Sequence, residues 1–237
     1  MTANNAQHGQ ICSYANPPST YITFGRIDDG VGAHYLRPCM FTSPGFVTCF
    51  PKTKKEHLGN FAGPFERKYL EVDITMKGAG PEQEKFKAFM DACDELLLEY
   101  IYNNQSAIGK SNQSKEQLSV LLKRSFRPRM NIKTGKTYAD AMTCRYRTPP
   151  GTEPEDVPVF NEAGLPYGGE LEFNDIVSVV LKYEGCYCRA NSWFGNSWSL
   201  VAAKHMGKFK RPEDAPEMTP DNVKSLFGSA ADSDMPQ

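Results

Sequence analysis

At 237 residues, with 40% hydrophobic and 11% aromatic side chains, the chain can bury one large core or two small ones, which excludes general disorder. Its formal net charge of −1 says nothing about partners by itself, so any message lies in how the charge is distributed. Seven cysteines at irregular spacing, no basic start leading into an apolar signal core and no apolar run near 18 residues (about the length that crosses a bilayer) lead us to expect a soluble protein of a reducing, intracellular compartment.

The first twenty residues are polar, lack a sustained period and read as a flexible arm. From Tyr21 to Phe50 short apolar runs alternate with turn residues: Tyr21–Phe24, then Asp28-Asp29-Gly30, then Phe46–Phe50 stopped by Pro51. Lys52–Gly63 reads as a polar loop. Tyr69–Met76 alternates Leu70, Val72, Ile74 and Met76 with other residues and predicts a half-buried strand.

A long helix follows. Pro81 suits a first helical position, Glu82 and Glu84 complement the helix dipole, and Phe86, Phe89, Met90, Cys93, Leu96, Leu97, Tyr100 and Ile101 recur at helical spacing. Asn103–Ser114 breaks it, and a shorter helix is predicted from about Lys115 to Lys123. Strands are expected at Arg127–Ile132, Thr137–Arg147, Val157–Asn161 and Ile176–Tyr183. The last pair, Cys186–Phe194 and Trp198–Ala203, is predicted to be a hairpin turning at Gly195-Asn196. The expected organisation is therefore an arm over 1–20, a single domain over 21–208 with a helical insertion at about 81–124, and an acidic, mostly disordered tail over 209–237. The fold class is α+β, mainly β, because the strands do not alternate with helices as a parallel sheet requires.

Catalytic motifs are sparse. Gly109-Lys110-Ser111 and Gly135-Lys136-Thr137 imitate the end of a phosphate-binding loop, but the glycine needed five residues earlier is Asn104 or Met130. Cys186 and Cys188 have no second ligand pair, and the four histidines are scattered. No glycine-flanked serine or recognisable carboxylate pair occurs. These features predict neither enzyme activity, metal nor cofactor.

Charge segregation is the informative feature. Lys115–Arg147 holds nine basic residues against two acidic ones, whereas Thr148–Ile176 holds seven acidic residues and no lysine or arginine. Aromatics interleave with the cations, a pairing that suits single-stranded nucleic acid because cations track phosphates while rings stack on bases. The candidate contacts to phosphate are Arg127, Arg129, Lys133, Lys136, Arg145, Arg147 and Arg189; the candidate stacking rings are Tyr138, Tyr146, Tyr187 and Trp193. Trp198, sharing a strand face with Leu200 and Ala202, reads as core. Residues 212–237 carry six acidic residues and one lysine, a composition able to compete with nucleic acid for the basic face or to recruit partner proteins.

The order of a strand, a long helix, Phe126-Arg127-Pro128-Arg129, Val157-Pro158-Val159-Phe160-Asn161 with a Gly164 turn, and Trp193-Phe194-Gly195-Asn196-Ser197-Trp198-Ser199-Leu200 resembles a family of nucleocytoplasmic large DNA viruses. Its members are similar to single-stranded-DNA-binding proteins of the short-tailed coliphage type, and the likeness spans roughly Tyr69 to Lys208. The resemblance implies an oligonucleotide-binding-type antiparallel β-barrel with one long inserted helix, sequence-tolerant binding of single-stranded DNA during viral replication, recombination or repair, no catalysis, and an acidic tail that meets replication proteins. It places the protein in the host nucleus or a cytoplasmic viral factory, with no membrane partner, and leaves a homodimer open. The rival expectation is a structural or assembly protein of such a virus, in which the basic strands pair with Glu153–Glu172 instead of lining a groove with aromatics.

Overall fold

The computed structural model describes residues 10–27, 30–35, 39–58, 65–146, 158–189 and 193–210. Before the helices come β1 (Gln10–Cys12), β2 (Ile22–Ile27), β3 (Gly30–Tyr35), β4 (Cys39–Thr42), β5 (Phe46–Leu58) and β6 (Phe65–Thr75). The helices are α1 (Pro81–Asn103) and α2 (Lys115–Leu121). After them come β7 (Leu122–Lys123), β8 (Arg127–Met130), β9 (Thr137–Arg145), β10 (Val159–Phe160), β11 (Asp175–Arg189) and β12 (Trp193–Lys208). The α+β, mainly β class expected from the sequence is present.

Ten of these strands form one sheet with the path β1-β4-β11-β5-β6-β9-β8, while β12 pairs with β11 along nearly its whole length and also carries β7 and β10. The path has two ends, so the sheet is open and the expected closed barrel is corrected. Nor is it wholly antiparallel, since β1 runs parallel to β4, and β7 and β10 run parallel to β12. The core forms instead between the sheet and α1. Phe86, Phe89, Met90 and Cys93 bury themselves in one cluster with Phe41, Phe46, Ile74, Val179 and Tyr183, and the Phe41 and Phe89 rings meet at 4.7 Å. The second half of α1 packs Leu97, Leu98 and Ile101 with Leu118 of α2 and Phe194 of β12.

Pro81 opens α1 as predicted, and Gln83 fixes its start: its Oε1 accepts from the Gly80 amide at 3.0 Å and its Nε2 donates to the Gly45 carbonyl at 2.6 Å. Ser114 caps α2 by accepting from the Gln117 amide.

Three local expectations are corrected. Lys52–Leu58, expected to be loop, continues β5, and Pro51 is accommodated because the register with β6 shifts between Cys49 and Lys52, where the ladder does not need its missing N–H. Residues 10–20, expected to belong to a loose arm, are attached: β1 pairs with β4, Cys12 is buried, and Tyr14 meets the Phe86 ring edge-on at 5.3 Å. The last hairpin does not turn at Gly195-Asn196, because both residues lie inside β12, opposite Tyr187 and Cys186 of β11. The tail expected over 209–237 lies outside the described residues from 211 onward.

Candidate nucleic-acid interface

Strands β6, β9 and β8, the end of β7 with its connection to β8, the second half of β11 and the first half of β12 enclose an open groove of about 1100 Å³. Its lining includes Lys123, Arg124, Arg127, Arg129 and Arg145, the rings of Tyr146, Tyr187 and Trp198, and the carboxylates Glu71, Asp73 and Glu184. The basic run of the sequence becomes one wall because β8 and β9 pair with each other and β9 pairs with β6.

The wall is less cationic than the sequence suggests. Register sets Glu71 opposite Arg145, and the two form an ion pair at 2.8 Å. Asp73 lies opposite Thr143 and binds Arg129 at 2.6 Å, while Arg129 also donates to the Thr143 hydroxyl at 2.6 Å. Arg124 reaches back to Glu95 on α1 at 2.8 Å. None of these carboxylates belongs to the acidic stretch that follows the basic strands; Glu172 from that stretch pairs with Lys208. Among the described residues no carboxylate lies within ion-pair distance of Lys123, Arg127, Lys133 or Lys136.

Of the predicted contacts, Arg127, Arg129, Arg145, Tyr146 and Tyr187 therefore meet in one groove. Trp193 does not line it but packs edge-on against Tyr187, with ring centroids 5.0 Å apart. Lys133, Lys136 and Tyr138 lie further out, at the exposed end of the β8–β9 hairpin. Arg147 and the side chain of Arg189 lie outside the described residues.

Sequence reading missed Lys123, Arg124 and Trp198 as groove residues. Trp198 does pack on core rings, at 4.9 Å from Tyr183 and 6.0 Å from Phe41, yet it is only half-buried and its other side lines the groove. A strand residue flanked by Ser197 and Ser199 carries no local mark that distinguishes those two roles.

A buried polar network anchors the groove floor to α1. The Asp94 carboxylate accepts from the Ser125 amide at 2.7 Å, the Ser125 hydroxyl at 3.0 Å and the Asn196 side-chain amide at 2.8 Å. Asn196 in turn accepts from the Tyr183 hydroxyl at 3.0 Å, and the Trp198 indole donates to Ser125 at 3.2 Å. Burial pushes the Asp94 carboxyl up to about 6, against the pull of those hydrogen bonds. Burial likewise raises the Tyr183 hydroxyl far above its ordinary range, leaving it a neutral donor. This explains why Gly195-Asn196 is not a turn. Asn196 is needed inside the strand to bridge Asp94 and Tyr183. A Cβ on residue 195 would lie 2.6 Å from the Tyr187 hydroxyl and 2.8 Å from the Lys123 carbonyl, so glycine is required there for close approach.

Such an arrangement suits an extended polyanion with flat, stackable groups. Cations and half-buried rings alternate around the groove, since Tyr146 follows Arg145 at the end of β9 and Lys123 pairs with β12, the strand that carries Trp198. Among the described residues no group of three metal-ligating side chains occurs.

No protein family and no curated protein matches the chain in sequence. In backbone shape it is similar to the crystal structure of gp2.5, a single-stranded DNA-binding protein encoded by bacteriophage T7, with a TM-score of 0.45 and 15% identity over 76% of this chain and 98% of that one. It is also similar to the single-stranded DNA-binding protein of bacteriophage Enc34 in complex with single-stranded DNA, with a TM-score of 0.39 and 10% identity over 81% of this chain and 98% of that one. The likeness to both is partial.

Proposed function

We propose that this protein binds single-stranded DNA in the groove between β8–β9 and β12, without sequence preference and without catalysing a reaction. The observation that carries this reading is the convergence of Lys123, Arg127, Arg129 and Arg145 with Tyr146, Tyr187 and Trp198 around one open groove. Phosphates would be held by the cations, with Arg129 and Arg145 exchanging Asp73 and Glu71 for phosphate oxygens, while bases stack on the rings at about 1–3 kcal/mol each. Within this proposal the protein serves viral DNA replication, recombination or repair, is related to the single-stranded-DNA-binding proteins of nucleocytoplasmic large DNA viruses, works in the host nucleus or a viral factory, and uses the acidic tail over 209–237 to meet replication proteins. A purely structural role needs the basic strands to be neutralised by the acidic stretch after them, and among the described residues of that stretch Glu172 pairs with Lys208 instead.

The test is a titration of the purified chain with labelled single-stranded and duplex oligonucleotides at several salt concentrations. Single strands should bind more tightly, since rings reach only unstacked bases. Equal affinity for both forms at matched salt would leave only an unspecific cationic surface.

A further inference from the structure

The end of the β8–β9 hairpin is not explained by a groove for one strand. Met130, Ile132 and Tyr138 are 63%, 92% and 48% exposed, and every residue from Ile132 to Ala139 is exposed. Ile132 at the tip and Tyr138 beside it leave large apolar surface in water on an edge hairpin and mark a contact surface, while Met130, opposite Thr137, lies on the other face of the strand pair. The loop that carries Ile132 is tied by hydrogen bonds. Asn131 Oδ1 accepts from the Lys133 and Thr134 amides at 3.0 and 3.3 Å, the Gly135 amide donates to the Asn131 carbonyl at 2.8 Å, and Gly135 adopts the left-handed conformation at φ 66°.

The hairpin continues the groove face. Tyr138 stands directly opposite Arg129, and cross-strand partners share a face of the sheet. Beyond it the Lys136 ammonium lies 5.5 Å from the centre of the Tyr138 ring. Two lysines with no carboxylate partner among the described residues, Lys133 and Lys136, thus flank Ile132. Complementary charge and continuity with the groove both point to nucleic acid as the occupant. The side chain at the tip narrows this further. A branched aliphatic group has no π-face to offer an unstacked base, but it suits insertion between stacked ones, as apolar wedges do when they open a base step. Regular, paired base steps into which such a wedge inserts are those of a duplex.

Resting on the proposed single-strand groove, we infer that the β8–β9 hairpin is a wedge acting where a duplex meets the single strand held in that groove, with Ile132 opening the terminal base step and Lys133 and Lys136 holding the flanking phosphates. The wedge would open the junction locally, beyond the duplex melting that preferential single-strand binding produces by mass action.

The experiment uses the full chain and a DNA duplex with a single-stranded tail, carrying at the junction a fluorescent purine whose emission rises on unstacking. The tail alone serves as a second ligand. Wild-type protein at saturation should raise the junction signal. Ile132→Ser should lose most of that rise while its affinity for the tail alone changes by no more than about twofold, as expected of a surface substitution outside the groove. Lys133→Ala with Lys136→Ala should flatten the salt dependence of tailed-duplex binding by about 1.8 in log–log slope, about 0.9 for each duplex phosphate released. A full junction signal from Ile132→Ser overturns the wedge while strand binding stands. A fall in the sedimenting mass of DNA-free protein on Ile132→Ser also overturns it, because the tip would then be buried in a second copy. No binding of the tail by wild type overturns the groove reading and the wedge together.

Discussion

In an Asp94→Ala variant the Ser125 amide, the Ser125 hydroxyl and the Asn196 amide lose the one carboxylate that accepts all three. Each buried donor left without a partner costs about 1–3 kcal/mol, so the three together cost about 6 kcal/mol. The penalty of holding a charge there works the other way: with the carboxyl raised from 3.8 to about 6, ionising it costs about 3 kcal/mol at neutral pH, and alanine removes that cost. The expected net loss is about 3 kcal/mol, a large part of the ~5–15 kcal/mol of a typical domain. Urea unfolding followed by tryptophan fluorescence should show the midpoint fall by about 1 M for a slope of ~2–3 kcal/mol per molar. Because Trp198 donates to Ser125, the folded-state emission should shift as well. The sign of the pH dependence gives a second check. A carboxyl whose folded value is raised contributes stability that is fully present below about 3.8 and lost as pH rises through about 6. The advantage of wild type over Asp94→Asn should therefore grow on acidification from about pH 7 to pH 4, by up to about 3 kcal/mol. A midpoint unchanged by Asp94→Ala, or an advantage over Asp94→Asn that shrinks on acidification, would refute the network as described.

Three further outcomes are expected. Arg127→Ala should flatten the salt dependence of single-strand binding by about 0.7 in log–log slope, whereas Arg129→Ala, whose cation already has Asp73, should weaken binding with little change in slope; equal slope changes would show that the Arg129–Asp73 pair does not persist in the free protein. Gly195→Ala should cost about 1–3 kcal/mol by thermal unfolding and weaken binding, because the Lys123 carbonyl and Tyr187 must move apart to admit a Cβ; unchanged stability would mean that this strand contact is loose. Deleting residues 212–237 should raise single-strand affinity most at low salt, where a tethered acidic segment at about millimolar effective concentration is least screened; unchanged affinity at low and near-physiological salt would leave the tail no competing role.

Local periodicity by itself determined the long helix, the Tyr69–Met76 strand and the mainly β class, because a side chain's face in a helix or strand follows from its neighbours three, four or two residues away. The same local reading found the basic run whose Arg127, Arg129 and Arg145 line the groove. What it had no means to supply was register. Glu71 and Asp73 neutralise Arg145 and Arg129 only because β6 pairs with β9 at that alignment, 74 and 56 residues apart in sequence. Asp94 and Asn196 meet across 102 residues, so an Asn that reads locally as a turn residue became a buried bridge in mid-strand. Pro51 reads locally as a strand end, yet the chain continues through it because a register shift removed the need for its hydrogen bond. Trp198 divides its ring between core and groove for the same reason. Composition and spacing state what each segment can become, while the long-range pairing of strands decides which charges are cancelled and which rings and cations remain to meet a ligand.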